Sequence, residues 1–389
     1  EFTGIQTTLP GLEVCEHLPR LATMAHKFVF IRSLVGSTGQ HNAFQCMSGW
    51  DEKNLASIGG RPALGSVVAR VLGSPSDVAP TFVDMMQGRA LVRNSARPGF
   101  LGPSCQPFRP DISQMFARPL EEGMKKELAR LGEGHTVSLQ LNAALNASRL
   151  DDRATLLAGL DSLRRQVDRS GMMEAMDQFQ QQAAGILLSG KFAGAMDLSQ
   201  EDPRTLARYT APVSNVERFT TAEDESCMRK LLLARRLIEA GVRCVTVSFS
   251  DFDTHSKNFQ RMRQMLPILD VGLQALLSDL EERGMLDDVS IVAWGEFGRT
   301  PKINANGGRD HWPRVGMAML AGGGMRVGQV IGSTDRTASS PTGRPVTYQE
   351  VLATLYNRLG IDPVHTTLTD PSGRPQHLLE QGQPIAEVV

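Results

Sequence analysis

Acidic and imidazole side chains gather in three short stretches of the C-terminal half. The first is Ser250-Asp-Phe-Asp-Thr-His-Ser256, where Asp253 and His255 stand two positions apart. In a loop such a pair can turn toward one point. A carboxylate with an imidazole suits zinc, manganese or iron, and suits calcium or magnesium less well. The same residues also make an Asx turn with a solvated histidine. The second stretch, Trp294-Gly-Glu-Phe-Gly-Arg-Thr-Pro301, sets Glu296 between Gly295 and Gly298. The glycines permit tight backbone around the acid. Arg299 can pair with Glu296 as a structural ion pair or hold an oxyanion. The third, Asn304-Ala-Asn-Gly-Gly-Arg-Asp-His-Trp-Pro313, has Asp310 beside His311. His311 can be a ligand that Asp310 orients, or both can touch metal. Alternatively, this loop seats Trp312 as an apolar plug. Arg309 is a second candidate anion clamp. The pattern's recurrence points to a single divalent-metal site.

A fourth candidate lies near the start, in Gly36-Ser-Thr-Gly-Gln-His-Asn42. A hydroxyl at a helix N-terminus faces backbone N–H donors and a favourable dipole, so Thr38 can attack a phosphate or sulfate there, with His41 close by. An ordinary helix cap explains Thr38 equally.

These clusters need elements to hold them. Cys244–Phe249 and Val289–Trp294 read as buried strands, each running into one cluster, and Gly316–Leu320 as a third strand. Between the first two, residues 258–283 form a long helix with apolar Met262, Met265, Leu266, Leu269, Leu273, Leu276, Leu277 and Leu280. Strand, helix, strand predicts a parallel sheet, and ligands bind at the carboxyl edge of such sheets. Earlier, Leu18, Leu21, Met24 and Ala25 space as a helix before a strand at 27–33. Helices are expected from Ala43 and over 59–70, a strand at 81–86, and an irregular loop at 94–118. Residues 119–240 read as a helical insertion, with Leu156, Leu157, Leu160 and Leu163 on one face, and less regularly Leu231, Leu232, Arg235 and Leu237-Ile238 on another. A last helix is expected at 349–359.

Composition narrows the function classes. The 389 residues carry 41 Lys+Arg against 42 Asp+Glu, a net charge of -1, which argues against coating nucleic acid or acidic membranes. With 41% hydrophobic and 21% charged residues the chain can build a core. Cys15, Cys46, Cys105, Cys227 and Cys244 include no CxxC pair, which disfavours a structural zinc site or a disulfide framework. No apolar run reaches the ~18–20 residues that span a bilayer.

Taken together, Phe28–Leu34, His41–Gly49, Asp253–Phe259, Gly295–Pro301, Gly308–Trp312 and Gly322-Gly-Gly with Gly328 and Gly332 form one pattern. It resembles a large, uncharacterised bacterial family, domain of unknown function fifteen-oh-one, grouped with the alkaline phosphatase and sulfatase superfamily. The resemblance implies an alkaline-phosphatase-like three-layer α/β/α fold, with a mostly parallel central sheet and a helical insertion. It implies a metal-dependent hydrolase of sulfate or phosphate esters, acting on a small-molecule or polysaccharide ester in the periplasm or outside the cell. Asp253, His255, Glu296 and His311, with Asp310, would hold zinc, manganese, calcium or magnesium. Thr38 or His41 would sit near the nucleophile position, which by motif order falls at Gly39. Arg299 and Arg309 would steady the anion. Such proteins usually begin with a further strand and a Gly-rich segment, so the resemblance implies that this chain starts downstream of both. A non-catalytic secreted or surface binding protein on the same fold is the alternative.

Overall fold

The computed structural model describes residues 2–74, 76–85, 96–110, 112, 186, 190–213, 219 and 223–389. At its centre is the strand Phe28–Val35. It is apolar except at Arg32 and Ser33, as a strand covered on both faces must be. On one face Phe28 and Phe30 pack against Leu273 and Leu277 of the helix Asn258–Glu282. On the other, Val29 and Ile31 pack against Tyr348 and Val351 of the helix Tyr348–Arg358. That second helix starts at Thr347 with a reciprocal cap: Thr347 Oγ1 accepts from the Glu350 backbone N–H while Glu350 accepts from the Thr347 N–H.

The strand Gly316–Gly322 lies antiparallel beside the central strand, and Ser290–Trp294 lies antiparallel beside that. Along the central strand's other edge lie Gln329–Ile331 and then Val346–Thr347, both parallel to it. A separate parallel pair joins Phe82–Met85 to Cys244–Val247. The α/β class expected from sequence is therefore present, but among the described residues most strand pairings are antiparallel rather than parallel. The reason lies in residues 295–315. They contain no helix to carry the chain back across the sheet, so the chain returns beside Ser290–Trp294 in the opposite direction.

That reversal keeps the whole 295–315 segment at one sheet edge. Ser290–Trp294 and Phe28–Val35 both oppose Gly316–Gly322, so they run the same way. Phe28–Val35 leads into His41, Cys244–Val247 into Asp253, and Ser290–Trp294 into Glu296. Three strand ends thus deliver their following loops to one place.

The helix expected near Ala43 spans only Phe44–Ser48, and that expected at 59–70 is Leu64–Leu72. Most of the expected helical insertion, including Leu156, Leu157, Leu160 and Leu163, lies outside the described residues. Its described part contains the helices Lys191–Met196, Pro203–Arg208 and Arg229–Glu239. The last of these buries Arg235, which pairs with Glu201 at 2.7 Å and Asp279 at 2.9 Å and so ties the segment to the long helix. No helix among the described residues is long and apolar enough to cross a membrane.

Candidate metal centre

His41, Asp253, His255 and His311 each offer one ligand atom, and these atoms lie within 4.8 Å of one another. Asp253 is the hub. Its Oδ2 lies 3.0 Å from His41 Nε2, and its Oδ1 lies 2.9 Å from His255 Nε2 and 3.3 Å from His311 Nε2.

Each imidazole is turned by a partner on its far nitrogen. His255 Nδ1–H donates to Asp310 Oδ1 at 2.7 Å, and His311 Nδ1–H to the Gly39 carbonyl at 2.8 Å. In the neutral imidazoles, protons so placed leave the lone pairs on the two Nε2 atoms. They face each other at 3.1 Å across the Asp253 carboxylate. Lone pairs from three groups gathered this closely repel one another unless a proton or cation sits among them. Far nitrogens anchored to a carboxylate or carbonyl are also how metal-binding histidines are oriented. Three imidazoles and one carboxylate fit zinc, manganese or iron. They fit poorly with calcium or magnesium, which take oxygen ligands, so those two members of the expected set are disfavoured.

His41 bridges two acids. Its Nε2–H donates to Asp253 and its Nδ1–H to Glu296 Oε1 at 3.2 Å. The bonds to Asp253 and then Glu296 raise its pKa to about 9, against a smaller opposing effect of burial. His41 is therefore held as an imidazolium between the two carboxylates. Burial alone would push the Asp253 carboxyl up. The hydrogen bonds from His41 and Arg299 outweigh this and hold it well below the usual carboxylate range. Glu296 is likewise depressed: burial raises it, but the His41 bond, a backbone hydrogen bond and the charges of His41 and Arg299 together lower it more. Asp310 is lowered chiefly by its bond from His255.

The loop 304–310 is pressed against His255. A Cβ on Gly308 would sit 2.1 Å from the His255 carbonyl carbon, so only glycine fits there. Asn304 Nδ2 donates to the His255 carbonyl at 3.0 Å and to Asp310 Oδ1 at 3.1 Å, clamping residue and partner together. Phe297 stacks on the His311 ring, with centroids 4.2 Å apart.

Of the residues singled out from sequence, Asp253, His255 and His311 meet as expected. His41 joins them as a candidate ligand. Glu296 stands outside the four-residue group and holds His41 instead. Asp310 lies outside the four-residue group and hydrogen-bonds His255, not His311 as expected of an orienter. Arg299 Nη2 lies 2.8 Å from Asp253 Oδ1, at the centre. Arg309 is directed elsewhere: its Nη1 donates to the carbonyls of Thr300 at 2.6 Å and Pro301 at 2.8 Å, which makes it a loop brace. Thr38 is exposed and is not a helix cap. The helix Phe44–Ser48 has Ala43 at its cap without a side-chain bond, and Asn42 Oδ1 accepts from the Phe44 N–H at 3.0 Å. Sequence reasoning missed Asn304 and Phe297. Asn304 opens the third cluster, and its type suits a loop clamp; Phe297 had no signal beyond its adjacency to Glu296.

The molecule is thus a mixed α/β protein with a histidine- and aspartate-lined candidate metal centre at the edge of its main sheet. The chain belongs to the family described as protein of unknown function DUF1501, whose model matches residues 1–389. No curated protein matches it.

Proposed function

We propose that this protein is a metal-dependent hydrolase of phosphate or sulfate esters, built on an alkaline-phosphatase-like α/β/α fold and working in the periplasm or outside the cell. The observation that carries the reading is the convergence of His41, Asp253, His255 and His311 at one sheet edge. The helices on both faces of the central strand support the fold assignment. A bound divalent cation supplies positive charge that polarises the ester and activates water.

The chain's own residues do the rest. Asp253 and the Nε2 atoms of His41, His255 and His311 form the donor surface, with the far nitrogen of each imidazole anchored. Arg299 lies beside Asp253, where its guanidinium adds charge toward an anionic ester. Water adds to phosphorus or sulfur, the bond to the ester oxygen breaks, and the departing alkoxide takes a proton. Water is favoured over Thr38 as the nucleophile because Thr38 is exposed.

The test is metal content of the purified protein by mass spectrometry, followed by turnover of aryl phosphate and aryl sulfate. Expected are about one or two equivalents of zinc, manganese or iron and measurable release of the phenol. Stoichiometric metal without turnover of either ester would instead favour a binding protein on this fold.

A further inference from the structure

Asp253 and His255 sit on an arc of chain, residues 251–257, that is closed at each end by a non-glycine residue in left-handed backbone. Asp251 has a φ of 81° and Lys257 a φ of 50°. Such backbone is unfavourable for a residue with a Cβ and persists where surrounding contacts over-determine it. The first of these angles breaks the extended path that follows the strand Cys244–Val247, and the second leads directly into the helix Asn258–Glu282.

Three side chains of the arc are tied to the first turns of that helix. Asp251 is 3% exposed and accepts from Arg261 Nη1. Phe252 packs with Met262 and Met265. Thr254 is buried and donates its Oγ1–H to Asn258 Oδ1 at 2.6 Å. Asp253 thus lies between two residues turned to the helix, while its own carboxylate faces His41, His255 and His311. The arc also carries the 304–310 loop: Arg309 N–H donates to the Thr254 carbonyl at 2.8 Å, and the N–H groups of Lys257 and Asn258 donate to the carbonyls of Asn306 at 3.1 Å and Gly307 at 2.9 Å. Arg261 is itself held, with its guanidinium over the Phe219 ring at 4.3 Å from the centroid.

We propose that Asp251 and Arg261 are positioning residues of the metal centre. Their ion pair is the tie at the strained end of the arc, and it fixes where the backbone sets Asp253 and His255. Asp251 is not one of the four clustered residues, so it acts through the backbone and not as a ligand. The pair is largely buried, and losing one partner strands the other. This assignment deepens the metal reading of the centre and rests on it for the binding half of its test; the exchange half requires no metal.

The experiment measures zinc affinity by chelator competition, and amide hydrogen exchange by mass spectrometry on the zinc-free full chain. The proteins are wild type, Asp251→Ala, Asp251→Asn, Asp251→Gly and Arg261→Ala. Asp251→Ala and Arg261→Ala should each weaken zinc by about 10- to 100-fold, as loss of a group that orients ligands does. In both, the amides of Lys257, Asn258 and Arg309 should exchange about tenfold faster, while the central strand Phe28–Val35 keeps its protection. Asp251→Asn keeps an acceptor and a side chain that tolerates left-handed backbone, and should recover most of the affinity. Asp251→Gly frees the backbone angle but offers no acceptor, and should stay as weak as Asp251→Ala. Unchanged affinity and unchanged exchange in Asp251→Ala would overturn the proposal. So would full recovery in Asp251→Gly, which would make the backbone angle alone responsible, or loss of protection that extends to the central strand, which would make the pair a general fold contact. If alanine at 251 does not fold, Arg261→Ala carries the same two readouts. If wild type holds no zinc while the amides of the arc loosen as expected, the metal reading fails and the positioning of the arc stands.

Discussion

Glu296 gives the sharpest test of how the centre is built. Sequence order puts it among the candidate ligands, whereas in the structure it hydrogen-bonds one of the four clustered residues. Its Oε1 takes the Nδ1–H of His41 at 3.2 Å, leaving His41 Nε2 to face Asp253 at 3.0 Å. Removing an orienting carboxylate of this kind costs roughly 10- to 100-fold in metal affinity, or about 1.4–2.7 kcal/mol. Glu296→Ala should therefore weaken zinc by that range. Glu296→Gln keeps an acceptor for the ring but loses the charge, and should fall between wild type and the alanine variant. His41→Ala removes a donor atom outright and should weaken zinc more than either. The assay is competition against a chromophoric chelator at fixed pH, with thermal unfolding of the zinc-free proteins as a check that each variant folds. If Glu296→Ala and His41→Ala lose affinity equally, and the double variant loses no more than either, Glu296 and His41 act as one unit and the orienting account stands only as a limit. If Glu296→Ala binds zinc as wild type does while His41→Ala is weakened, the account is refuted.

Three further outcomes follow from the same geometry. His41 titrates near 9 in the metal-free protein because it lies between two carboxylates, so its proton must leave before Nε2 can bind metal; zinc affinity should rise from pH 6 to 9 and binding at pH 7 should release protons, both measurable by calorimetry in buffers of different ionisation enthalpy, and a pH-independent affinity would count against His41 as a ligand. Gly308→Ala forces a Cβ into the His255 backbone, which Asn304 also clamps; the loop must shift, and zinc affinity should drop at least about tenfold while helical circular dichroism is unchanged. Asp270 is buried and accepts the backbone N–H groups of Arg20 at 3.0 Å and Leu21 at 2.7 Å, at the start of the helix Pro19–Thr23; Asp270→Ala leaves both donors without their acceptor and should cost about 2 kcal/mol in urea unfolding, with little effect on metal binding.

What the sequence made legible, and what it hid, divides along a physical line. Burial on both faces writes itself as an unbroken apolar run, and Phe28–Ile31 carries that signal; Val245–Val247 and Ile291–Val292 were readable from β-branched residues although they are only half-buried. The clusters after those strands were readable because chemistry needs Asp, His and Arg, and loops after strands are where a sheet can present them. Pairing direction was not readable. The strand–helix–strand pattern from 244 to 294 looks the same whether the next strand, Gly316–Gly322, returns parallel or antiparallel, and only the missing helix in 295–315 decides it. Roles within the site were hidden for a related reason. Glu296 and His41 lie far apart in sequence and meet only because the central strand and Ser290–Trp294 end at the same edge. Residue type says that each can bind a cation. Whether a side chain binds it or holds the one that does depends on which atom of its neighbour it reaches, Nδ1 or Nε2, and the order of residues along the chain carries no record of that choice.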